Sequence, residues 1–181
     1  MTRWTPDPTF YASPRDAGSA PPERLAYVAA FDRAAERPDA IAVVDVDPDS
    51  AGYGSVVGWT DLPFTGDELH HFGWNACSSA LCPTAPHPHV ERRYLIVPGL
   101  RSSRVYVLDT KADPVKPEVV KVIGPEELAK RAGYSRPHTV HCGPDGIYLS
   151  ALGNPDGDGP GGIAVLDHTS FEVRGAWEAD R

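Results

Sequence analysis

The 181-residue chain holds seven histidines and three cysteines, and two of each fall between His70 and Cys82 in "GDELHHFGWNACSSALC" (66–82). A second cluster, "RPHTVHCGPDG" (136–146), sets His138, His141 and Cys142 together. Neutral imidazole is the commonest ligand for copper and zinc, and a copper site needs several nitrogens that converge from different parts of the chain. His70 and His71 are adjacent, so on a strand they point to opposite faces and one of them reaches a common metal. His138 and His141, three apart, diverge on a regular strand and converge only at a bulge or turn. The competing reading is that these histidines hydrogen-bond to neighbouring backbone in a half-buried strand.

The thiols carry a weaker signal. Cys77 and Cys82 are not spaced as a zinc knuckle or a redox CxxC pair. Cys77 could hold a soft species such as copper(I) or selenium through its thiolate, or be buried and inert. Trp74 and Asn75 are expected to shape the site, with Trp74 packed under the histidines, because a buried indole needs a partner for its N–H. "PHPH" (86–89) reads as an exposed loop carrying His87 and His89. "NPDGDGPGG" (154–162) lacks the distal glutamate of a calcium loop and reads as a hairpin connection. Neither a GxSxG nucleophile motif nor a glycine-rich phosphate loop is present.

Whatever the chemistry, short strands must position it. Three segments share one pattern: "AIAVVDVDPDSAGYGSVVGWTDLP" (40–63), "SRVYVLDTKADPVKPEVVKVIG" (103–124) and "GGIAVLDHTSFEVRGAWE" (161–178). Each opens with an apolar, β-branched run ending in an aspartate (Asp45, Asp109, Asp167) whose carboxylate can accept hydrogen bonds from the amides of the following turn. Further strands precede them at 25–31, 93–100 and 146–152, so blade-like units are expected over about 25–63, 93–124 and 138–178, after an irregular segment 1–24. Repeated units of three or four strands predict an all-β fold, and a β-propeller rather than a β-sandwich. One helix is expected, at 124–133, with Pro125 at its start, acidic residues first, basic residues last and Gly133 to stop it. Three blades do not close a ring. The expectation is therefore that more blades belong to the protein or that copies associate through open blade faces.

Composition narrows the partners. A net charge of −8, from 17 basic and 25 acidic residues, argues against nucleic acid and anionic membranes, which need a basic surface. No apolar run has the length of a membrane span, and the first residues do not pattern as a signal peptide. With three cysteines, an odd and small number, a cytoplasmic, reducing location without a disulfide framework is expected.

The segment "DELHHFGWNACSS" (67–79) resembles the signature of the selenium-binding protein family, which includes the methanethiol oxidases. "AVVDVDPDSAGYGSVV", "LIVPGLRSSRVYVLD", "PHTVHC" and "GGIAVLDHTSFEVRGAWE" are similar to family segments in the family's order. The resemblance implies about three blades of a seven-bladed propeller. It also implies copper-dependent oxidation of methanethiol by O2 and water to formaldehyde, hydrogen sulfide and hydrogen peroxide, as well as selenium binding. On that reading His70, His71, His138 and His141 are the metal-holding, catalytic residues, Cys77 is a cofactor-binding residue, and the partner is a small thiol. Two departures stand out. The family's Cys-Ser-Ser-Cys is here Cys77-Ser78-Ser79-Ala80, and the cysteine associated with selenium in animal members aligns at Gly54, which has no nucleophile. A non-enzymatic module that takes up copper or selenium is the alternative.

Overall fold

A computed structural model describes residues 8–76, 89–143 and 146–177. These residues form three antiparallel sheets and two short helices. The first sheet is β1 (Leu25–Ala30), β2 (Pro38–Asp45) and β3 (Val56–Thr65), in that order. The middle sheet runs β4 (Gly73–Trp74), β5 (Tyr94–Pro98), β6 (Val105–Asp109), β7 (Glu118–Ile123). The third is β8 (Ser135–Cys142), β9 (Ile147–Gly153), β10 (Gly162–Leu166) and β11 (Val173–Ala176), again with sequence neighbours side by side. The fold is all-β. No helix among the described residues is long and apolar enough to cross a membrane.

The period-two side-chain alternation of strands explains how the sheets stack. On β5 and β6, Ile96, Val105 and Val107 face the third sheet and pack with Val140, Ile147, Leu149, Ala164 and Leu166. Their neighbours Leu95, Val97, Tyr106 and Leu108 face the other way and pack with Ile41, Leu62 and Leu69 on the first-sheet side. The middle sheet is thus covered on both faces, which is why its central strands read as unbroken apolar runs. The flanking sheets each have one covered face. Val28 and Trp59, which flank Ala42 in register on the far side of the first sheet, are 46% and 49% exposed. Leu152 on the far side of the third is 48% exposed.

Each repeated aspartate ends its strand as a turn organiser. Asp45 accepts from the Asp47 amide at 3.0 Å, Asp109 from Lys111 at 2.9 Å, and Asp167 from Thr169 and Ser170 at 2.9 Å each. Asp109 is also gripped by both nitrogens of the Arg93 fork. In the 154–162 connection Asn154 Oδ1 accepts from the Asp156 and Asp158 amides, closing the hairpin on itself.

The helix α1 (Pro14–Gly18), a single turn capped by Ser13, interrupts the segment expected to be irregular. α2 (Pro125–Ala132) follows β7, with Gly124 as N-cap and Gly133 in the left-handed conformation at its C-terminus (φ 73°), which glycine adopts without strain. Its buried Leu128 and Ala132 complete the core between the middle and third sheets. Cys142 is disulfide-bonded. Cys77 and Cys82, the other two cysteines, lie outside the described residues, as does His87.

Candidate metal centre

The connector from β3 to β4, Gly66 to Phe72, is built from buried carboxylates outward. Asp67 has no exposed surface and accepts from Ser102 Oγ, from Arg104 Nη1 at 3.2 Å and from Tyr106 Oη at 2.7 Å. Burial, followed by the carboxylate itself, pushes the Tyr106 hydroxyl well above its usual range, so it stays protonated and donates. Gly99 permits this approach, since a Cβ there would meet Ser102 Oγ at 2.7 Å and Asp67 at 3.0 Å. On the other side Asp39, also buried, accepts from the Leu69 amide at 3.0 Å with one oxygen and from the Asp32 amide at 2.9 Å with the other. Asp67, with these three donors, and Asp39, with two, have the hydrogen bonds that buried acceptors need, and they tie the connector between the first and middle sheets.

Between the two anchors Glu68 takes φ +60°, a left-handed conformation rare for a residue with a long side chain. The chain therefore does not run as a strand through residues 70 and 71. His70 and His71 both turn toward His138 of β8, whereas strand alternation predicts that only one can. In β8 the pairing with β9 slips between Pro137 and Val140, which takes His138 off the regular ladder.

One ring nitrogen from each of His70, His71 and His138 lies within 4.8 Å of the others. His138 Nε2 is 3.4 Å from His70 Nδ1, and the ring centroid of His138 is 4.6 Å from that of His71 and 5.3 Å from that of His70. The second nitrogens of His70 and His138 have their own partners. His70 Nε2 is 3.1 Å from Glu68 Oε1, and His138 Nδ1 is 3.0 Å from Thr139 Oγ1. Arg101 reaches the other Glu68 oxygen at 2.5 Å. Burial, then the neighbouring imidazoles of His71 and His70, holds His138 below the usual histidine value, so it is neutral and its lone pair available near pH 7. Burial pushes the Glu68 carboxyl up, but the contacts with His70 and Arg101 together outweigh it and leave it below its usual value. Three imidazoles on converging vectors form a donor set suited to copper or zinc.

His141 stands apart from this group. Past the bulge the ladder resumes at Val140–Leu149 and His141–Tyr148, so Val140 enters the core and His141 faces the other way. Its Nδ1 is 2.5 Å from the Cys142 carbonyl. His89 lies in an exposed turn. Trp74 is not under the histidines: its ring meets Tyr27 edge-on at 5.8 Å, and Arg92 lies over it at 5.1 Å. The two faces of a strand explain the separation, since Phe72 and Trp74 pack toward the first sheet. Cys77 lies outside the described residues.

Sequence reasoning misses three supports of the site, Asp39, Asp67 and Glu68, and one buried histidine. His168, 5% exposed, sets Nδ1 2.9 Å from the Asn75 carbonyl and Nε2 3.2 Å from the Gly143 carbonyl. Asn75 in turn accepts from the Arg93 and Tyr94 amides, so this pair ties the end of β4 to the third sheet. The acidic pair in "DELHH" is the one available signal, since a carboxylate beside a ligating histidine orients it. Nothing in "LDHTS" marks His168.

Comparison with known proteins converges on one family. The profile described as "56kDa selenium binding protein (SBP56)" matches residues 4–181. A crystal structure of a hypothetical selenium-binding protein from Sulfolobus tokodaii superimposes with a TM-score of 0.88 at 63% identity, covering 97% of this chain and 39% of that one. Selenium-binding protein 1 of Arabidopsis thaliana is 43% identical over 171 residues, 93% of this chain and 34% of its own length. A methanethiol oxidase of Xenopus laevis is 42% identical over 173 residues, 94% of this chain and 36% of its own length. The chain thus spans about a third of the length of these curated relatives. With the profile matched from residue 4 to residue 181, the chain belongs to the selenium-binding protein family SBP56.

Proposed function

We propose that this chain supplies part of the copper centre of a methanethiol oxidase-type enzyme, and that its three sheets are blades of a larger propeller. The observation that carries the reading is the convergence of His70, His71 and His138 from two separate parts of the chain. The relatives named methanethiol oxidase supply the reaction class. These three residues would hold the metal, His70 through Nδ1 because its Nε2 faces Glu68. Bound copper supplies a redox-active Lewis acid for a thiolate sulfur and O2.

The protein's own residues do the positioning. The Asp39 and Asp67 anchors keep the His70–His71 pair at a fixed distance from His138 before any metal arrives, so little ordering is needed on binding. Phe31, 6.1 Å from the His70 ring between centroids, offers an apolar surface beside the group for the methyl of a small thiol. Balanced for methanethiol, one O2 and one water yield formaldehyde, hydrogen sulfide and hydrogen peroxide: the carbon is oxidised and the O2 reduced by two electrons. Further ligands would come from other blades. A cytoplasmic location and a small-thiol partner belong to the same proposal.

The test is copper content after loading and dialysis. About one copper per chain is expected, with at least a tenfold loss of affinity in His138→Ala. Equal copper retention by wild type and His138→Ala would sink the reading.

A second reading is supported by the relatives named selenium-binding protein. It is a module that binds copper or selenium without turnover. Hydrogen sulfide and peroxide produced from methanethiol by the copper-loaded chain favour the enzyme; retained metal with no product above blank favours the module. Selenium uptake through Cys77 belongs to this second reading, and Gly54 offers it no nucleophile.

A further inference from the structure

We propose that Glu68 is a positioning residue for the histidine group: clamped by Arg101, its carboxylate fixes His70 as the Nε2–H tautomer, with the Nδ1 lone pair turned toward His138. The inference deepens the metal reading above and rests on it for its purpose.

Four observations carry it. A carboxylate only accepts, so the 3.1 Å contact between Glu68 Oε1 and His70 Nε2 requires the proton on Nε2. A neutral imidazole has one N–H, which leaves Nδ1 bare, and Nδ1 is the atom 3.4 Å from His138 Nε2. Glu68 is itself immobilised, because Arg101 holds its second oxygen at 2.5 Å and Arg101's own amide donates to the Asp67 carbonyl at 2.9 Å. Finally, the backbone of Glu68 is kept at φ +60° by its neighbours: the Leu100 amide donates to the Glu68 carbonyl at 3.2 Å, and Asp67 and Leu69 are both tied down. A strained residue over-determined by its surroundings is how proteins aim a functional side chain. A carboxylate on the far nitrogen of a ligating histidine is also the arrangement that fixes tautomer and ring orientation at metal centres, and its removal typically costs about 10–100-fold in metal affinity.

The test uses the whole chain, first metal-free. Ring 15N chemical shifts should report His70 as a single Nε2–H tautomer. In Glu68→Ala the two nitrogen shifts should draw together as both tautomers populate, and copper affinity should fall about 10–100-fold. Glu68→Gln has one acceptor oxygen for two donors: with that oxygen on Arg101, which only donates, its NH2 faces His70 Nε2. This variant should therefore shift His70 toward the Nδ1–H tautomer and lose copper affinity as Glu68→Ala does. Alanine retains a Cβ, so the backbone strain at this position is the same in wild type and variants, and circular dichroism checks that the sheets persist. Unchanged His70 shifts in Glu68→Ala overturn the proposal, and so does a tautomer change with no loss of copper affinity. If the wild type retains no copper, the metal reading fails by itself, and the shifts in the metal-free chain still decide the role of Glu68.

Discussion

The middle and first sheets are built from similar strands yet live in different surroundings. In β6 the four residues Val105–Leu108 are fully buried, alternately serving the core toward the third sheet and the core toward the first. In the first sheet only the face carrying Ile41 and Leu62 is covered, and the face carrying Val28 and Trp59 is bare. The difference teaches that sheet-on-sheet stacking, rather than strand propensity, sets which apolar residues stabilise this fold. It also leaves Val28 and Trp59 on the first sheet and Leu152 on the third half exposed to solvent.

The comparison can be broken most directly at Leu108. Replacing it with alanine should lower the unfolding free energy by about 3 kcal/mol, the usual cost of a cavity in a closed core, read from urea midpoints. A loss under about 1 kcal/mol would mean the middle sheet is not packed on both sides.

The hairpin aspartates test whether the contrast is confined to faces. The Arg93 fork, against the opposing pull of burial, and then the Lys111 amide hold Asp109 below the usual carboxylate range. The Ser170 amide leads the same effect at Asp167, in the third sheet. A depressed folded value contributes stability that is complete above the unfolded value of about 3.9 and fades as pH falls through the folded one. Asp109→Asn should therefore be less stable than wild type at pH 7, with the gap narrowing at pH 3, and Asp167→Asn should behave alike although its sheet is half covered. A gap that stays constant with pH would assign the loss to packing instead.

The smallest effect is expected on the bare face. Val28→Ala should change stability by no more than about 0.5 kcal/mol. A cost near that of Leu108→Ala, growing with protein concentration, would show that another copy covers the first sheet in solution.

Much of the scaffold was legible because its signals are local. Apolar runs closed by Asp45, Asp109 and Asp167 announce strand and turn together, and Pro125 with Gly133 brackets α2. β4, with two residues, is too short to leave a periodic trace. At the site, the clustering of histidines was visible, but which of them meet was not. Alternation wrongly separates His70 from His71 because nothing in the letters says that Glu68 adopts a positive φ. His141 falls away because the register slip ends one residue before it. Trp74 was drawn to the histidines by sequence proximity, whereas its face of β4 belongs to the other core. Long-range partners such as Asn75 and His168, 93 residues apart, leave no local mark at all.

Connectors between strands ordinarily tolerate insertions and deletions, since exposed loops lose little when their length changes. The stretch from Asp67 to Leu69 is an exception, because it is fastened at one end to Tyr106 and Arg104 and at the other to Asp39. One added residue would leave every strand able to form and would still carry two imidazoles away from the third. Among descendants of this chain, the length of that span should therefore drift as little as the identity of a core leucine.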